Sequence, residues 1–146
     1  MRMMRAIRHI GIVVSNMKRS LEFYQDILGL KVVKDYEEKG EYIDKILDLS
    51  GVKLRIIKLK ADDETIIELL EYISHPQKAT NIRQIYDIGC SHIAFTVDDV
   101  DKEHRRLSKN GVKFNSPPYV SPDKYAKVAF CHDPDDVLIE LVEVIT

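Results

Sequence analysis

Two histidines and two glutamates stand at matched places in this 146-residue chain. The run Arg8-His9-Ile10-Gly11-Ile12-Val13-Val14 returns in reduced form as Ser91-His92-Ile93-Ala94-Phe95-Thr96-Val97. The run Ile66-Ile67-Glu68-Leu69-Leu70-Glu71 returns as Leu138-Ile139-Glu140-Leu141-Val142-Glu143. Each copy opens on a β-rich run with a histidine and closes on one with a glutamate. His9, Glu68, His92 and Glu140 are two imidazoles and two carboxylates, a ligand set for one divalent metal with positions left for water or substrate. Taken singly, each residue has an ordinary reading: a hydrogen-bonded core histidine, or a glutamate on the wet face of a sheet. The coincidence of equivalent ligand types in both repeats favours the metal.

Strand alternation must present these side chains. His9 shares a face with Gly11 and Val13, and Glu68 with Ile66, Leu70 and Tyr72. His92 groups with Cys90, Ala94 and Thr96, and Glu140 with Leu138 and Val142. Each candidate ligand is then a lone ionisable group on an apolar face, where an unpaired carboxylate is costly and a cation is one remedy. Glu71 and Glu143, three residues on, are expected to face solvent.

The chain reads as a strand over 9–14, Ser15-Asn16 as an N-cap, and a helix from Met17 stopped by Gly29. A strand starts at 31–33, the charged stretch 34–45 reads as a loop or hairpin, and strands follow near 46–49, 54–59 and 65–72. A connector covers 74–88, with a short helix near 79–86. The second unit repeats the order: a strand over 90–97, an Asp98-Asp99 cap, a helix over 100–109, and strands near 112–115, 126–131 and 138–144. The His-to-Glu separation is 68 − 9 = 59 in the first unit and 140 − 92 = 48 in the second. The first unit therefore carries an insertion, and 34–45 is its natural place and a candidate lid.

The hydrophobic fraction of 45%, charged fraction of 32% and net charge of −2 fit an ordinary soluble protein. No Lys/Arg block points to nucleic acid, no apolar run reaches membrane length, and no signal-like stretch follows the basic start. Two cysteines, Cys90 and Cys131, make no disulfide framework. A cytoplasmic protein is expected. Cys90, His92, Cys131 and His132 lack structural-zinc spacing, and His104 and His132 are expected to be exposed and ordinary.

The chain resembles the vicinal oxygen chelate superfamily, which includes glyoxalase I, methylmalonyl-CoA epimerase, extradiol dioxygenases and the bleomycin resistance proteins. The residues that carry the resemblance are His9-Ile-Gly-Ile-Val-Val, Ser20-Leu-Glu-Phe-Tyr, Leu28-Gly-Leu, Ile67-Glu68-Leu69, His92-Ile-Ala-Phe-Thr-Val-Asp-Asp and Asp133-Pro-Asp-Asp-Val-Leu-Ile-Glu140-Leu. It implies an α+β fold of two paired βαβββ modules, about 6–73 and 89–146, forming a curled mixed sheet around a metal site in one glyoxalase-like domain. It also implies a small-molecule substrate, a homodimer, and His9, Glu68, His92 and Glu140 as ligands of one divalent metal: nickel, zinc, cobalt, manganese or iron. The sequence leaves open whether one chain or two supplies the four.

What the resemblance implies for activity is a metal-dependent lyase or isomerase of the glyoxalase type, in which Glu140 or Glu68 moves a proton beside a carbonyl. Glyoxalase I of the bacterial type carries an Arg and an Asn for the glutathione end of its substrate, where this chain has Val13 and Tyr72. With Leu70 and Thr96 these suggest an apolar substrate pocket, and Tyr125 in the following loop is a further candidate contact. An epimerase would need another base, for which Asp44 or Lys45 is nearest in sequence. An iron dioxygenase would use three ligands, leaving Glu68 as a surplus fourth, and a metal-free resistance protein would lack them.

Overall fold

Short β-branched runs alternating with capped helices fold into two units, Met1–Thr80 and Asn81–Thr146. The computed structural model describes residues 3–76 and 84–145. Each unit is built on one four-stranded mixed sheet, so the fold class is α+β.

The first unit runs β1 (Ile10–Val13), α1 (Met17–Leu21), β2 (Lys31–Lys39), α2 (Glu41–Leu47), β3 (Lys53–Lys60) and β4 (Ile66–Tyr72). Its strand order is β1-β4-β3-β2, with β1 parallel to β4 and the other pairs antiparallel. Asn16 caps α1 by accepting from the Arg19 N–H at 3.1 Å. The helix widens over Glu22–Ile27, where the Leu28 N–H reaches back five residues to the Phe23 carbonyl. Gly29, at φ +82°, then turns the chain into β2. α1 packs against β4. Met17, Phe23 and Tyr24 are buried, as are Ile12, Val14, Ile57, Leu59, Ile67 and Leu69 on one face of the sheet.

The second unit runs β5 (His92–Thr96), α3 (Val100–Lys109), β6 (Tyr119–Val120), β7 (Ala126–His132) and β8 (Leu138–Val144). Its order, β5-β8-β7-β6 with β5 parallel to β8, repeats the first sheet. Asp99 caps α3 by accepting from the Lys102 N–H at 2.9 Å. Val100 and Leu107 of α3 are buried, as are Ile93, Ala129, Cys131, Ile139 and Leu141.

Three elements differ from the sequence reading. The 34–45 stretch is no open loop: its first half completes β2 and its second half forms most of α2. The 46–49 strand is instead the end of α2 and its left-handed cap, Asp48 at φ 52°. In place of a 112–115 strand there is one bridge, Phe114 to Cys131, and the fourth strand of that sheet is the short β6. The insertion lies where the sequence places it. From Gly29 to β3 is 53 − 29 = 24 residues, against 126 − 111 = 15 from Gly111 to β7. The helix expected near 79–86 falls largely outside the described residues, and residues 85–86 form a turn.

Candidate functional site

Parallel pairing of β1 with β4 sets Gly11 opposite Glu68 and Val13 opposite Leu70. His9 lies two residues before Gly11 and shares its side of the strand. Its Nε2 stands 3.8 Å from Glu68 Oε1. The second unit repeats the arrangement: Ala94 is opposite Glu140, Thr96 is opposite Val142, and His92 Nε2 stands 3.0 Å from Glu140 Oε2. Gly11 and Ala94 are the small residues beside each carboxylate. A Cβ on Gly11 would meet the Leu70 side chain at 3.4 Å, so the first site has room for the alanine of the second.

In each pair the histidine is the more open partner. The His9 and His92 side chains are 35% and 37% exposed, against 12% and 20% for Glu68 and Glu140. Ser91 Oγ lies 2.6 Å from His92 Nδ1, and the Phe130 ring meets the imidazole edge-on at 5.4 Å. These contacts fix the ring and leave Nε2 facing the carboxylate. The 3.0 Å between His92 and Glu140 is hydrogen-bond distance, whereas the 3.8 Å between His9 and Glu68 is too long for one, and either gap suits two donors of one cation. Within each unit the donors stop at a pair. Among the described residues no three His, Cys, Asp or Glu gather as a group that could hold a metal ion.

The surroundings of the two pairs differ. Around Glu140 the register sets Phe130 on β7 and Ala94 on β5, both apolar. Around Glu68 it sets Lys58 on β3, with Nζ 3.7 Å from Glu68 Oε2, and Lys34 of β2 opposite Lys58. Glu68 is therefore not alone on an apolar face as expected. Lys34 and Lys58 were invisible as site residues because the β2–β3–β4 register, not sequence spacing, aligns them with Glu68.

Of the expected pocket residues, Val13, Leu70, Tyr72 and Thr96 fall on these faces. Val13 is exposed, Leu70 and Tyr72 are half-buried, and Thr96 is exposed beside Ala94. Leu70 and Tyr72 pack with Tyr36 and Leu47 against a core of Ile43, Val52, Leu54 and Ile56. The insertion helix α2 thus sits on the same face of the first sheet as Glu68 and forms its apolar end. Tyr125 stands in the turn before β7, out of the alternation that puts Val128 and Phe130 on the Glu140 face.

Several expectations are corrected. Glu71 and Glu143 do not face solvent: Glu71 accepts from the Met17 N–H at 2.6 Å and Glu143 from the Val100 N–H at 2.9 Å. Each carboxylate caps the helix of its own unit. Asp44 is on α2 rather than in a loop or hairpin, and its carboxylate accepts from the Gly51 and Val52 N–H groups. Lys45 pairs with Glu41. His104 is half-buried with its ring 4.3 Å from that of Phe114. His132 is also half-buried, with Nε2 2.5 Å from Asn115 Oδ1. On the opposite face of the first sheet the Arg55 guanidinium holds the Asp35 carboxyl below its ordinary range.

A family model described as Glyoxalase/Bleomycin resistance protein/Dioxygenase superfamily matches residues 6–141. The chain belongs to this superfamily. Among its relatives it is 30% identical to the uncharacterized protein YwkD of Bacillus subtilis, over 97% of this chain and 98% of that protein. It is also 30% identical to a lactoylglutathione lyase of Neisseria meningitidis, over 92% of this chain and 88% of that enzyme. A crystal structure of a glyoxalase family protein from Bacillus cereus superposes with a TM-score of 0.88 at 21% identity, covering 99% and 97% of the two chains. That likeness confirms the glyoxalase fold. No helix among the described residues is long and apolar enough to cross a membrane.

Proposed function

We propose that this glyoxalase-superfamily chain is a divalent-metal enzyme that moves a proton at a carbon beside a carbonyl. One observation carries the reading: both repeats place a histidine Nε2 against a glutamate carboxylate at the same point of the same strand register. The donor types fit a divalent cation, and His9, Glu68, His92 and Glu140 would hold it. A bound cation would supply Lewis acidity, stabilising the oxyanion that develops when the neighbouring proton leaves.

The chain's own residues do the rest. Glu140 and Glu68 are the carboxylates able to take and return the proton. Asp44 and Lys45 are engaged elsewhere on α2 and offer no third base. Ser91 holds His92 so that its Nε2 stays turned inward. Val13, Leu70 and Tyr72 flank Glu68 on its face of the first sheet, Thr96 lies on the Glu140 face of the second, and Tyr125 stands in the turn before β7. Lactoylglutathione lyases among the relatives favour this chemistry, while Val13 and Tyr72 favour a substrate other than a glutathione adduct.

The test is turnover of α-oxo thiohemiacetals and acyl-CoA thioesters by stripped protein reloaded with nickel, cobalt, manganese or zinc. Glu140→Gln and Glu68→Gln identify the base: the variant that keeps its metal and loses turnover carries it. Iron uptake with oxygen consumption would instead support a dioxygenase.

A further inference from the structure

One cross-strand row of the first sheet reads Lys34, Lys58, Glu68, Gly11. Two lysines directly opposite each other on antiparallel strands repel, which ordinarily costs a sheet stability. Among the described residues Lys58 has a carboxylate within reach only in Glu68, at 3.7 Å. Lys34 pairs with no carboxylate among the described residues and lies over the Tyr36 ring, its Nζ 4.4 Å from the centroid. The Lys58 Nζ is 5.9 Å from the same centroid, so both ammonium groups lie by the Tyr36 ring. Lys60, next on that face of β3, is satisfied by Glu64 at 2.8 Å. In the second unit Phe130 takes the place opposite Glu140 that Lys58 takes opposite Glu68.

We propose that Lys34 and Lys58, assembled on Tyr36, form a subsite for an oxyanion carried by the substrate, a carboxylate or a phosphate. The inference rests on the metal reading in one respect: a cation bound by Glu68 takes that carboxylate's charge and leaves both ammonium groups to recruit an anion. The substrate class narrows accordingly to carbonyl compounds bearing a second, anionic group. The floor of half-buried Tyr36 and Leu70 over buried Ile56 strengthens an ammonium–oxyanion contact relative to open water.

The test separates this subsite from the metal. In metal-free Glu68→Gln protein, where the competing carboxylate is gone, inorganic phosphate and malonate are titrated calorimetrically. At least one is expected to bind, with affinity falling about tenfold in Lys58→Gln and in Lys34→Gln backgrounds and unchanged in Lys60→Gln. Malonate without phosphate marks a carboxylate site, and the reverse a phosphate site. Absence of binding by both anions, or equal loss with Lys60→Gln, overturns the proposal. Lys58→Gln in the otherwise wild-type protein must also keep its metal content; loss of metal there shows that Lys58 supports the ligand and contradicts an anion role. Failure of the wild-type chain to take up metal counts against the enzyme reading alone, since the titration uses metal-free protein.

Discussion

Glu68 and Glu71 show how one strand divides its labour. Three residues apart, they point to opposite faces, one toward His9 and the other to the first N–H of α1. Glu140 and Glu143 repeat the division with His92 and α3. Alternation made the division legible, but not the outward partner, because a helix start reaches these carboxylates only in the folded sheet. Glu71→Ala and Glu143→Ala should each destabilise the chain by about 1 kcal/mol, read as a lower urea midpoint; midpoints equal to wild type would mean that the caps contribute nothing. The two cysteines part in the same way. Cys90 is exposed, whereas Cys131 is buried and its thiol is pushed up to about 12, first by burial and then by the Asp133 charge. One thiol should react with Ellman's reagent at neutral pH and two after unfolding; two in the native protein would contradict the burial. The folded chain holds the Cys131 proton more tightly than the unfolded one, so stability should fall as pH rises from the ordinary 9.0 toward about 12. Cys131→Ala should flatten that fall.

Among the elements, α2 is the helix that sequence reasoning missed. Ile43, Ile46, Leu47 and Leu49 suit a short strand as well as a short helix, and local spacing cannot choose between them. The fold decides: Ile43 and Leu47, four residues apart, land on the apolar end of the Glu68 face. Gly40 at φ 106° starts the helix, and Asp44 ties its end to Gly51 and Val52. β2 was cut short because its charges resemble a loop, yet it is an edge strand and edge strands carry charge readily. Capped, periodic α1 and α3 were legible because their signals are local. Ile43→Ala should cost about 2–5 kcal/mol, measured by chemical denaturation; a loss under 1 kcal/mol would show that α2 rests only loosely on the sheet.

For the whole molecule, the repeat was the strongest signal in the sequence. It predicted two units that repeat one order of elements, and the sheets of the two units, β1-β4-β3-β2 and β5-β8-β7-β6, share one strand arrangement. The repeat set a histidine and a glutamate at matched places, and the inherited register brings each histidine beside the glutamate of its own unit. The differences between the copies were not legible, since Lys58 and Phe130 occupy equivalent places only once strand pairing is known. The central claim is that both pairs serve one metal. Its most direct test is metal analysis of the full chain after reloading, beside His9→Ala and His92→Ala. About one divalent cation per chain, with most of it lost in each variant, is the expected result. Full metal content in both variants, or no uptake by the wild-type chain, would contradict the account.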